Sequence, residues 1–272
     1  MPLTHWKHSL RQSFRILPEP SGHLRVFLES EGRNQEEVLA NLPYDAARSA
    51  SPSVSPNPKR YRDSRYVYES IGLLFEDDDG RIKLTDLGTA TKRWLAIIHE
   101  KNCHILCRHA AYALAAVQLR NPTPPGLEYA QEMEVFPIAF IWRAMLSLDN
   151  RINSDELNRV ILRTRNVDDL LEGIERIRTA RVSGVPDDLG EELIAGAKKN
   201  DRIIPWMAMA SFGWTCVADK SSDATGFYTI KPRCIGFLRQ AVSIRRRHRE
   251  FASVNDYVQF ISRSASLPPD LR

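Results

Sequence analysis

Two stretches of this chain share one pattern, and that pattern leaves few folds open. The first, Arg60 to Gly88, reads RYRDSRYVYESIGLLFEDDDGRIKLTDLG. It opens as a basic amphipathic helix that Pro58 starts without loss, because its missing N–H has no partner at a first helical position. Gly72 stops that helix as a left-handed cap, and Asp79-Gly80 is a two-residue hairpin signal. Beyond the turn, Ile82 and Leu84 point one way and Arg81 and Lys83 the other, as a half-buried strand requires. Thr85 or Asp86 caps the helix that follows. A helix running directly into a small hairpin is the second half of a winged helix-turn-helix. The weaker copy spans Arg202 to Cys234, where setting Gly213 on Gly72 brings Ile230-Lys231 onto Leu84-Thr85 after an insertion in the hairpin. That is an internal repeat of pattern more than of identity.

The remaining segments fit around these two units. His23 to Ser30 and Asn34 to Leu42 read as short helices with apolar residues three and four apart. Asp45 to Pro58 is rich in Ser, Pro and Ala and reads as a loop or lid. Thr89 to Leu119 is one long helix or a broken pair, ended by Pro122, Pro124, Pro125 and Gly126. Helices follow at Val135 to Leu148, at Glu156 to Arg163 behind an Asn153–Glu156 capping box, and at Val167 to Arg181. After the second hairpin, Cys234 to Ser243 and Val254 to Ser262 close the chain. The expected class is mainly α with small β-hairpins (α+β), as tandem winged helix-turn-helix domains joined by a long helix. The expected division is 1–121, a winged-helix domain with a trailing long helix, and 122–272, a second one with a C-terminal basic helix.

At 272 residues the chain is long enough for one large domain or two modest ones, each with a real core. A net charge of +4 does not by itself argue for nucleic acid, but 29 of the 38 basic residues are arginine. Arginine's planar fork matches phosphates and guanine edges where a lysine point charge does not; a GC-rich genome produces the same bias. The four cysteines form no dense framework, and no apolar run reaches membrane-spanning length. A reducing, cytoplasmic setting without membrane contact is the expectation.

The first candidate DNA-contacting surface is the helix from Pro58, with Lys59, Arg60, Arg62 and Arg65 on phosphates or base edges and Tyr61 and Tyr66 against the sugar backbone. An exposed basic helix face also occurs in proteins that never meet DNA. The hairpin tip Glu76-Asp77-Asp78-Asp79 opposes the reading, because clustered carboxylates repel phosphates. This wing is therefore expected to point away from a duplex. In the second half Lys198, Lys199 and Arg202 precede the hairpin and Lys220 sits at its tip. Arg245, Arg246, Arg247 and Arg249 belong to a basic run free of acids until Glu250. On a helix, Arg245 and Arg249 would share a face with Ala241, as a phosphate-tracking stripe or simply a solvated one.

Catalytic and metal signatures are missing. No lysine has Asp or Glu two positions before it, so the (D/E)-x-K element of the common restriction nuclease core is absent. There is no Gly-Lys-Ser/Thr phosphate loop and no Gly-x-Ser-x-Gly elbow. His99, Cys103 and Cys107 recur every four residues, but a structural zinc wants a fourth ligand, and buried cysteines on an apolar helix face fit better. No catalytic residue, metal or cofactor is assigned.

RHAAYALAAVQLRNP, followed by EVFPIAFIWRAMLSLDNRINSDELNRVIL, resembles the DNA-recognition regions of type IIS restriction endonucleases and related nickases. In those regions a helix ending in Gln-x-x-Asn-Pro precedes a Pro-bearing helix that opens the second winged-helix subdomain. Gln118, Asn121 and Pro122 match the first element, and Pro137 with Glu156-Leu157 matches the second. SRYVYESIGLLFEDDDGRIKLTDLG resembles the end of the first subdomain. The resemblance implies sequence-specific binding of double-stranded DNA in a restriction or phage-defence system. Its nuclease domain has no counterpart here. That leaves a recognition subunit whose nuclease or methyltransferase is a separate polypeptide, a piece of a larger enzyme, or a stand-alone targeting protein. Two other classes stay open: a tandem winged-helix interaction subunit of a chromosome-organising, kleisin-type or defence complex, which the acidic wing favours, and an endonuclease with an unrecognised site.

Overall fold

The structure, a computed structural model, describes residues 2–7, 22–42, 58–97, 103–123, 127–212, 215–220 and 226–266. The Ser/Pro-rich stretch expected as a loop lies almost wholly outside them, as do His99, Gly213 and Trp214.

The first unit is built from α1 (His23–Glu29), α2 (Gln35–Asn41), α3 (Pro58–Ser70), β1 (Leu74–Glu76) and β2 (Ile82–Leu84). Between α1 and α2, Asn34 does two jobs. Its side chain accepts the Glu37 N–H while the Glu37 carboxylate accepts its own, a complete capping box. Its backbone also bridges Arg81 in antiparallel fashion beside β2. Helix, bridge, helix, helix, hairpin is the connectivity of a winged helix. The hairpin register pairs Leu74 with Leu84 and Glu76 with Ile82. Its loop differs from expectation: Asp77 and Arg81 close it through Asp77 N–H to Arg81 O at 2.9 Å, leaving three residues, 78–80, with Gly80 at φ 72°. The Asp77 carboxylate accepts the N–H groups of Asp79 and Arg81, so aspartate and left-handed glycine together set a three-residue turn.

Thr85 is the cap of α4 (Asp86–Ile97). Its hydroxyl accepts the Gly88 N–H at 3.0 Å and donates to Gly72 O at 2.7 Å. A Cβ at Gly88 would run into the Leu73 carbonyl oxygen, and one at Gly72 (φ 78°) would come within 2.7 Å of Ile261. Both glycines of the motif are thus fixed by close approach.

The second unit repeats the plan with insertions. Its central helix α6 (Pro137–Ser147) is buried on nearly every side, and Trp142 Nε1–H donates to Ala210 O at 2.6 Å. β3 (Arg151–Ile152), α7 (Ser154–Arg159), α8 (Val167–Ser183), α9 (Ala197–Ala210), β4 (Val217–Ala218) and β5 (Tyr228–Ile230) follow. The sheet order is β3-β5-β4, both pairs antiparallel. Ile230 pairs Val217, and Lys231 N–H donates to Cys216 O at 2.9 Å, just as Leu84 pairs Leu74 and Thr85 N–H donates to Leu73 O. Ile230-Lys231 therefore takes the place of Leu84-Thr85, as the repeat implied. The position equivalent to Gly72 is Thr215, not Gly213, and the left-handed residue after α9 is the buried Phe212 at φ 47°.

The stretch expected as one long helix or a broken pair carries α4 and α5 (Cys103–Ala116), and residues 98–102 between them lie outside the described residues. After β5 come α10 (Ile235–Ser243) and α11 (Val254–Arg263), and between them residues 244–253 are not helical. The class is α+β: mostly helical, with two small antiparallel sheets among the described residues. Contacts from both ends cross the expected division at 121/122. Near the start, Leu3 bridges Tyr129, and Trp6 packs edge-on against Trp206 while donating from Nε1 to Thr164 O at 2.7 Å. Near the end, α11 lies on α3, α4, α5 and β1. One continuous buried cluster results. No helix among the described residues is long and apolar enough to cross a membrane.

Candidate nucleic-acid interface

α3 brings only part of its expected set to the surface. Lys59 and Arg60 lie in its first turn, with side chains outside the described set. Arg62 is exposed, 3.9 Å from Asp63. Tyr61 is a correction, for it is fully buried and stacks on Phe27 with ring centroids 5.4 Å apart. Its hydroxyl donates to Glu76 Oε1 at 3.0 Å, and burial pushes its pKa up to about 12. Arg65 is likewise committed inward, with only 16% of its side chain exposed. It pairs with Glu69 at 3.2 Å and with Glu76, and its guanidinium sits 5.0 Å from the Tyr66 ring centroid. A helical stripe through Tyr61, Ser64, Tyr68 and Ile71 is buried, and Arg65 lies along its edge.

The same contacts change the meaning of the acidic wing. Glu76 is neutralised by Arg65. Asp77 holds the turn and faces Lys83 at 3.5 Å; hydrogen bonds from the turn, first from the Arg81 N–H, hold its carboxyl below the usual range. Asp78 and Asp79 are the members left exposed.

Around the second hairpin, Lys199 pairs with Asp155 and Glu192, which ties α9 to α7. Lys220 donates to Ser154 Oγ at 3.1 Å and lies 5.9 Å from the Tyr228 ring centroid. Both basic side chains are engaged within the fold. Lys198 and Arg202 lie in α9 with side chains outside the described set.

The basic run 245–249 is not the helix expected. It is an arm without regular secondary structure in which exposure alternates: Arg245, Arg247 and Arg249 are exposed, Arg246 and His248 half-buried. Period two is the signature of an extended chain. Arg246 is structural: it donates to Ala241 O at 2.8 Å, Ile244 O at 3.1 Å and Tyr112 O at 3.3 Å. Burial, and next the Arg143 charge, lowers its pKa to about 10, still cationic at neutral pH. The His248 side chain is 7% exposed; burial, then Arg120, lowers its pKa, so the ring is neutral near pH 7.

Three residues absent from the candidate set hold this arm. Gln118 accepts the Arg249 N–H at 2.7 Å and donates to Arg249 O at 3.3 Å, mimicking a strand partner. Asn121 donates to Gln118 O at 2.7 Å. Arg120 pairs with Glu250, so the acid that ends the run is neutralised. The Gln-x-x-Asn-Pro motif was visible in sequence; its attachment to a segment 131 residues away was not. Beside the arm lies a cavity of about 740 Å³ with Phe136 and Phe140 in its lining, carrying Arg143 together with Glu134 and Asp168. Cys107 is buried in α5, and no cluster of three or more possible metal ligands occurs among the described residues.

No protein-family profile matches this chain, and no curated protein matches it. Among solved structures, its fold is similar to the binding domain of the BpuJ1 endonuclease, solved in complex with pyrene- and phenanthrene-modified DNA. The TM-score is 0.55 at 10% identity, covering 96% of this chain and 96% of that one. The likeness is one of fold.

Proposed function

We propose that this chain binds double-stranded DNA sequence-specifically, as the target-recognition subunit or domain of a restriction or phage-defence nuclease system. The observation that carries the reading is the fold likeness, over 96% of each chain, to an endonuclease binding domain solved with DNA. The charge distribution supports it: Arg62 is exposed on the helix before the first wing, and Arg245, Arg247 and Arg249 are exposed beyond the second. Two wing carboxylates are neutralised or used within the turn, which lowers the repulsion a duplex would meet. The test is a mobility-shift series with wild type and Arg60→Ala/Arg62→Ala. The double variant is expected to bind more weakly at every salt concentration; equal binding would remove α3 from the interface.

A second reading rests on exposed Asp78 and Asp79 at the first wing tip. It makes the chain a tandem winged-helix subunit gripping a basic protein partner. Co-purification with such a partner, and no duplex retention at moderate salt, would select it.

A further inference from the structure

We infer that the arm from Arg245 to Arg249 is a rigid phosphate rail that follows one strand of a DNA duplex. The inference rests on the proposed DNA-binding reading and names a surface for it.

Three observations meet in this segment. First, the exposed arginines alternate with inward anchors. An extended backbone advances about 3.3 Å per residue, so alternate side chains stand about 6.6 Å apart. Successive phosphates of one strand rise about 3.4 Å while winding around the axis, so they stand about 7 Å apart through space. The two repeats match over three arginines.

Second, the arm is held by groups other than those it presents. Arg246 spends its donors on three backbone carbonyls, and Gln118 clamps the Arg249 peptide at both its N–H and its C=O. The Arg249 guanidinium is steadied 5.0 Å from the Phe260 ring centroid. Arginine loses much side-chain freedom when it binds, and a backbone fixed beforehand removes part of that cost.

Third, the charge on the outer row is uncompensated, whereas neighbouring basic groups are not. Arg65, Arg120 and Lys199 all face carboxylates, and Arg246 is buried against carbonyls. Among the described residues no salt bridge involves Arg245, Arg247 or Arg249. The cavity beside the arm is lined by Arg245 and Arg247 as well as by Arg143 and Arg246, and its acids are Glu134 and Asp168. The arginines without a salt bridge are therefore the anion surface, and two of them, Arg245 and Arg247, also line that cavity. Backbone contacts of this type position a reader and carry no base information.

The experiment measures binding of wild type and Arg245→Ala/Arg247→Ala/Arg249→Ala to a fluorescein-labelled random-sequence duplex by anisotropy across a salt series. Each neutralised phosphate contributes about 0.9 to the slope of log affinity against log salt. The triple variant is expected to show weaker binding and a slope smaller by about 2 to 3. The triple Arg→Lys variant, which keeps the charges, retains most of the slope. Gln118→Leu keeps every charge but frees the arm, so it weakens binding at low salt; its fold is checked by circular dichroism. If wild type binds and the triple Ala variant shows an unchanged slope, the rail is refuted while DNA binding stands. If wild type shows no salt-dependent duplex binding, the functional reading and the rail fall together.

Discussion

At the scale of single residues, α3 shows how a charge pattern misleads when the apolar stripe beneath it is ignored. Lys59, Arg60, Arg62 and Arg65 look alike in sequence, yet Arg65 stands beside the buried stripe that begins at Tyr61 and faces two carboxylates. One of these, Glu69, is 3% exposed, and burial raises its pKa from 4.5 to about 7, with Arg65 opposing the shift. A carboxyl whose folded pKa lies above its unfolded value contributes stability that is fully present below the unfolded pKa. That stability is lost as pH rises through the folded one. Wild type should therefore lose stability relative to Glu69→Gln between about pH 4.5 and 7, with the difference constant above. Urea unfolding midpoints of the two proteins across that range measure it; a pH-independent difference would mean that the Glu69 pKa is the same in the folded and unfolded chains. A buried acid is invisible in sequence because Glu69 reads as one more surface residue of a polar helix.

At the scale of elements, positions were legible and connections were not. Gly, Pro and capping residues are local signals, and they located most helices and both hairpins to within a few residues. The arm after α10 is the clearest failure. Arginine is a good helix former, so RRRHR read as a helix, but Gln118 and Arg246 supply tertiary hydrogen bonds that an extended chain satisfies. The junction of α7 and α8 rests on a similar long-range bond. Glu156, already the partner in the Asn153 capping box, is 2% exposed and takes a forked pair from Arg181 at 2.7 and 3.0 Å. Arg181 also donates to Leu148 O and Arg151 O. Removing one member of such a buried pair leaves the other charged and dry. Arg181→Ala is expected to cost about 3 to 5 kcal/mol in urea unfolding. Arg181→Ala/Glu156→Gln should recover part of that loss, and equal costs for the single and double variants would contradict the pairing.

At the scale of the whole molecule, the two winged units do not close on themselves. The N-terminal Trp6 completes the core of the second unit, and the C-terminal α11 completes the first, where Tyr257 donates to Ser70 O at 3.0 Å. Trp6→Ala removes a ring that is 1% exposed, and is expected to cost about 3 to 5 kcal/mol. Because the core is continuous, probes in both units should shift together in one transition; two separated transitions would show the halves to be independent.

The amino-acid sequence by itself determined the elements that depend on near neighbours: the helix–hairpin unit, its repeat, the capping boxes and the period-two face of β2. It also carried the resemblance from which a DNA-recognition fold was expected, since the apolar spacing of α5 and α6 is a property of the chain alone. Only the tertiary structure decided which arginines are free and which are spent. That choice turns on carboxylates, carbonyls and the Gln118 amide brought close by packing, and no local spacing records those contacts. It likewise decided that the basic run is not helical and that the termini exchange units. Both outcomes are settled by bonds between residues more than a hundred positions apart, whose benefit appears only once the core that joins them has formed.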